Sequence, residues 1–234
     1  MPGKEHLSKQ YDLDLDGLRS LVLAMGGLVE SQIRNALEAF ATGDIALADR
    51  VIRGDEEVDA YEVSIDSDCA HVIARRQPAA ADLRMIMSIS KAVTDLERMG
   101  DEAEKIARMA KSIHAAGRGP LDRLPRIRHV ADIALGMLRQ SLDAFARLDA
   151  HQASNAVRAD AAIDEEFRAI LRQLITYMME DPRTISTALE IVWVAKAIER
   201  IGDHAKNMAE YVIYVVEGTD VRHTGLGIER DGTA

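Results

Sequence analysis

The sequence predicts an all-α protein, a tandem repeat of two antiparallel three-helix bundles, and three observations carry that prediction. Apolar residues recur every three or four positions along six long segments, the spacing that gathers side chains on one face of a helix. The last three segments repeat the first three at a nearly constant offset of 102 to 105 residues. The composition is 47% hydrophobic but only 4% aromatic, and none of the five prolines falls inside a long segment. A chain rich in Ala, Leu, Ile and Met and poor in aromatics favours helices over strands.

The elements follow in order. Residues 1 to about 12 are polar and read as a lead-in. The first stripe advances from Leu15 through Val22, Val29 and Phe40 and stops at Thr42-Gly43. Asp44 is placed to cap the second helix. Its stripe, Ala48 to Val72, holds two carboxylates, Asp55 and Glu62, at positions that should be apolar. Pro78 closes that segment, and a third stripe runs from Met85 to Ile113. Ala115-Ala-Gly-Arg-Gly-Pro120 is the clearest linker in the chain. The fourth, fifth and sixth stripes start at Ile127, Ala153 and Thr187, and end at Leu148, Tyr177 and Val215. The two bundles are expected over residues 10–115 and 121–217, with 218–234 as a flexible tail.

With 39 acidic and 29 basic residues the formal charge is −10, which argues against non-specific nucleic-acid binding and fits cations or basic partner surfaces. The single cysteine, Cys69, has no partner in the chain, and the N-terminal residues lack an apolar signal. Both features point to the cytoplasm. No apolar run is long enough to span a bilayer, so membrane association would be indirect, through a partner protein.

The chemistry concentrates in two echoing motifs, Glu97-Arg-Met-Gly-Asp101 and Glu199-Arg-Ile-Gly-Asp203. On a helix, acids spaced i and i+4 share one face a turn apart, where like charges repel unless a cation lies between them. The repeat exposes a second pair in each half, Asp55 with Asp59 and Asp160 with Asp164. Two facing helices would then present four carboxylates per bundle, the lining that hard cations and carboxylate-bridged iron or manganese favour. Gly100 and Gly202, inside the motifs, would let a neighbour come close. One acid pair alone reads as a solvated face, with Arg98, Lys196 and Arg200 on hand for ion pairs. Four pairs at matched positions read as cation sites.

Other features are bland. His204 follows the second motif where the first has Glu102; it could add a nitrogen ligand to that one site, but reads rather as solvent-facing. Trp193 reads as a core or interface anchor. No phosphate-cradling glycine loop, nucleophile elbow or zinc pattern is present in the sequence.

On the duplicated layout, the two motifs, their upstream acid pairs and the lead-in Gln77-Pro-Ala-Ala-Ala-Asp-Leu-Arg84, the chain resembles the PhoU family of phosphate-signalling proteins over residues 8 to 217. The resemblance implies a cytoplasmic, homodimeric, non-catalytic negative regulator. Its expected partners are the ATPase subunit of a phosphate ABC transporter and a sensor histidine kinase. It also implies metal ions (iron, manganese, magnesium or zinc) on the acidic faces. Two other readings stand beside it. A carboxylate-bridged di-iron oxidase would call for paired Glu-x-x-His elements, which are missing from the sequence. A structural scaffold would hold its acids in ion pairs.

Overall fold

The computed structural model describes residues 9–115 and 125–221, so the linker from 116 and the tail beyond 221 lie outside the described residues. Six α-helices account for nearly all of them: α1 (Lys9–Thr42), α2 (Ile45–Arg76), α3 (Ala80–Ala115), α4 (Pro125–Arg147), α5 (Ala150–Glu180) and α6 (Ile185–Glu217). A 3-10 turn, Pro182–Thr184, joins the last two, and there is no strand among the described residues. At 1.5 Å per residue the longer helices span about 50 Å.

Local chemistry fixes the breaks. Asp44 accepts from the Leu47 N–H at 2.9 Å, and Asp149 accepts from Gln152 N–H at 3.0 Å. These are matching N-caps at equivalent turns of the two repeats. The residue before each cap takes a left-handed conformation, Gly43 at φ 76° and Leu148 at φ 53°. Only the first repeat uses glycine, the residue that adopts this conformation without strain. Pro125 opens α4 where its missing N–H has no helical partner anyway. Gly218, at φ 74°, ends α6, and Val221 then folds back into a buried position.

Within each repeat the three helices pack pairwise, α1–α2–α3 and α4–α5–α6, and the repeats join through α3 against α6, with α1 touching α4. The buried apolar residues form one continuous cluster across both. The two inner helices therefore bury residues on two faces, and α3 and α6 carry the longest buried sets of the six helices. The outer helix α2 buries one stripe, Ala48, Val51, Val58, Ile65, Cys69 and Val72. Asp55 and Glu62 sit in that row but stay half-buried. Trp193 is not in the core; it is 65% exposed on the outer side of α6, where no described helix covers it.

Candidate metal-binding acidic faces

In the first repeat, α2 and α3 bring one set of acids together. Gly100 is what permits the approach. A Cβ there would lie 3.3 Å from both Asp55 Oδ1 and Val58 Cγ1, tighter than ordinary contact. The Asp55 carboxyl is pushed up to about 6, first by burial, then by Asp101, Asp59 and Glu104, with only Arg108 opposing. Glu97 is pushed up to about 7, again first by burial, then by Asp101, Glu62, Asp59 and Asp55. All four anticipated residues thus share one electrostatic field, and Glu62 and Glu104 enlarge it.

Sequence reasoning noted Glu62 only as a break in the stripe and missed Glu104, whose place beside Asp55 depends on the α2–α3 register. The polar contacts at hand relieve little of this charge. Glu62 accepts from the Thr94 hydroxyl at 3.2 Å, and Arg108 takes Glu104 at 2.5 Å. From α1, Gln32 donates to the Gly54 carbonyl at 2.6 Å, while its Oε1 is buried without a hydrogen-bond partner. That oxygen would lie 3.6 Å from a Cβ at Gly100, so an unsatisfied amide oxygen flanks the carboxylates. An all-oxygen donor set with uncompensated charge fits a hard cation. As the side chains stand, no three His, Cys, Asp or Glu residues among those described converge tightly enough to hold one ion. Binding therefore requires the carboxylates to change rotamer.

The second repeat solves the same problem with its own lysines and arginines. Lys206 Nζ donates to Asp160 at 2.6 Å, Lys196 to Glu199 at 2.5 Å, and Arg168 pairs with Asp164 at 3.4 Å. Asp203, without such a partner, is raised by partial desolvation, then by Glu199 and Asp160, with Lys196 and His204 opposing. Gly202 serves packing here: a Cβ would meet Ile163 Cδ1 at 2.5 Å.

The arginine and histidine roles differ from expectation. Arg200 does not neutralise its own motif; it crosses to Glu102 on α3 at 3.0 Å. His204 is not solvent-facing. It is buried, with Nδ1 2.7 Å from Asp95 Oδ1, and Asn207 Nδ2 donates to the same oxygen at 3.2 Å. Glu102, its equivalent in the first repeat, is also buried. Both belong to the α3–α6 seam, a second buried face that one apolar stripe per helix does not reveal.

The PhoU domain profile matches residues 22–110 and 127–212, one match per repeat. The chain is 51% identical over 221 residues to a phosphate-specific transport system accessory protein PhoU homolog of Pseudomonas putida, covering 94% of this chain and 86% of that one. It is 44% identical to the Escherichia coli (strain K12) phosphate-specific transport system accessory protein PhoU, over 94% and 91% of the two chains. The crystal structure of PhoU from Pseudomonas aeruginosa superposes with a TM-score of 0.86 at 48% identity, over 89% of this chain and all 100% of that one. The phosphate transport system regulatory protein PhoU from Streptococcus pneumoniae gives 0.81 at 28% identity, over 90% and 99%. With both repeats matched and relatives aligned over most of both chains, the chain belongs to the PhoU family.

Proposed function

We propose that this chain is the accessory regulator of a phosphate-specific transport system, a cytoplasmic homodimer that restrains uptake and holds the phosphate-starvation response off when phosphate is plentiful. It would act by contact, linking the transporter ATPase subunit to a sensor histidine kinase, without turnover. The observation that carries this reading is the doubled Glu-Arg-x-Gly-Asp motif over facing carboxylates, in a chain whose relatives bear names of phosphate-transport accessory proteins. No helix among the described residues is long and apolar enough to cross a membrane, which suits a regulator that reaches the transporter from outside the bilayer.

Asp55, Asp59, Glu97 and Asp101 would hold a cation in the first repeat, and Asp160, Asp164, Glu199 and Asp203 in the second. A bound divalent or trivalent ion supplies charge neutralisation between two helices. The protein's part is to hold α2 to α3 at Gly100 and α5 to α6 at Gly202, so that the carboxylates stay within one field. The sequence holds no Glu-x-x-His element to supply paired histidine ligands, which speaks against a di-iron oxidase.

The test replaces Glu97, Asp101, Glu199 and Asp203 together by Ala and follows a phosphate-starvation promoter in phosphate-rich cells. Derepression, with the helical content unchanged, is the expected result. A folded variant that represses fully would remove the acidic faces from the mechanism.

A further inference from the structure

The end of the α5–α6 hairpin carries an apolar surface that the fold does not need. Of the large apolar side chains left exposed among the described residues, Ile175, Tyr177, Met179, Ile185, Leu189 and Trp193 fall within one hairpin. Met179 is 80% exposed and Trp193 65%. Ile185, Leu189 and Trp193 are spaced by four and form one stripe about 12 Å long on α6. Ile175 and Met179 form a matching pair on α5. The Lys206–Asp160 bond and Lys196 Nζ, 5.6 Å from the Phe167 ring centre, fix the antiparallel register. That register sets Ile175 level with Leu189, and Met179 level with Ile185.

The duplication supplies the control. The equivalent positions of the first repeat are Ala70, Ala74, Leu83, Met87 and Lys91. A three-helix unit of the same design therefore stands with small or charged residues at three of the five. Exposed apolar area of this kind, rimmed by polar groups, marks a binding surface, and an exposed tryptophan is a typical anchor.

Charge says what the surface fits. Arg172 and Arg168 lie about two and three turns before the hairpin end on α5, Arg183 lies in the turn, and Lys196 and Arg200 continue the α6 stripe beyond Trp193. Four of these five are ion-paired, and in every pair the cation is the more exposed member, from 67% against 45% for Arg168–Asp164 to 46% against 4% for Arg200–Glu102. Arg172 is exposed and has no ion-pair partner among the described residues. Glu180, Asp181 and Asp164 are also open to solvent, but in each of these pairs the cation reaches further out than its acid, and Arg172 adds a charge of its own. We propose that this patch docks an amphipathic helix of a partner protein, one whose apolar stripe is edged by carboxylates. Two copies of the chain paired face to face would set the cationic rim against itself. The inference rests on the reading of the chain as a regulator that acts by contact, and names the face.

Trp193 is the chain's only tryptophan, so its emission reports on the patch directly. The test titrates the full chain with two synthetic helical peptides lacking Trp and Tyr. They share one leucine stripe and differ only in Glu or Lys along its edges. The Glu-edged peptide should shift Trp193 emission to shorter wavelength and bind about tenfold or more tightly than the Lys-edged one at low salt. Leu189→Lys and the fully surface Met179→Lys should each weaken it by about tenfold, while Met87→Lys, at the equivalent place in the first repeat, should not. Equal binding of the two peptides, binding unmoved by Leu189→Lys and Met179→Lys, or no binding of the Glu-edged peptide would each overturn the proposal. So would self-association in sedimentation velocity that Leu189→Lys abolishes, which would make a second copy the occupant. The peptides carry no transporter or kinase sequence, so their failure would remove this face and leave the phosphate-regulation reading to its own promoter test.

Discussion

Without a cation, Glu97 costs the protein stability at neutral pH, and the cost can be read by replacing it with Gln. Its carboxyl is raised from 4.5 to about 7 by burial and four neighbouring acids. In a fully shielded site that difference would amount to about 3 kcal/mol. Solvent reaches this half-buried group, which reduces the figure to about 1–2 kcal/mol. The sign follows from linkage: the folded state holds the proton more tightly, so the favourable contribution is complete below 4.5 and is lost as pH rises through about 7. Asp55, raised to about 6, adds to the loss in an overlapping window.

Urea denaturation in the presence of chelator should therefore show wild-type stability falling between about pH 4.5 and 7, and Glu97→Gln flattening the fall. At pH 8 the variant should be the more stable by about 1–2 kcal/mol. Adding Mn2+ should then stabilise the wild type by mass action and the variant less. A variant less stable than wild type at pH 8 in chelator would refute the reasoning, because Glu97 would then be satisfied by the protein itself.

Other consequences are open to simple measurements. Gly202→Ala drives a Cβ against Ile163 Cδ1 and should cost about 1–3 kcal/mol in denaturant melts; Ile163→Val, which removes that atom, should recover much of it in the double variant. Asp95→Ala leaves His204 buried without its partner and should lower stability by about 1–3 kcal/mol, whereas replacing both by Leu should cost less than the two single changes predict. Cys69 is buried with its thiol pushed up to about 12, so a thiol reagent should label it only after unfolding; rapid labelling of folded protein would contradict the packing of α2.

The helices were legible because each buries at least one stripe at helical spacing, and the repeat doubled every signal. The acid pairs were legible for the same reason: Asp55 and Glu62 interrupt an apolar row, and Glu97 with Asp101 recurs as Glu199 with Asp203. What one stripe per helix does not carry is the packing of α3 on α6. His204 looked solvent-facing because the side it occupies is buried by the other repeat, and Glu102 and Arg200 pair across that same seam. The difference between the repeats was also out of reach. Lys206 neutralises Asp160 from 46 residues away, a partnership set by the α5–α6 register rather than by local spacing.

The most direct measurement is Mn2+ uptake by the full chain in equilibrium dialysis, compared among wild type, Glu97→Gln/Asp101→Asn and Glu199→Gln/Asp203→Asn. The first repeat has carboxylates in excess of cations, whereas the second holds Asp160, Asp164 and Glu199 with Lys206, Arg168 and Lys196. The tighter site should therefore disappear with Glu97 and Asp101 and persist when Glu199 and Asp203 are changed. Loss of the tighter site only on changing Glu199 and Asp203, or no saturable uptake by the wild type, would contradict the assignment of the acidic faces.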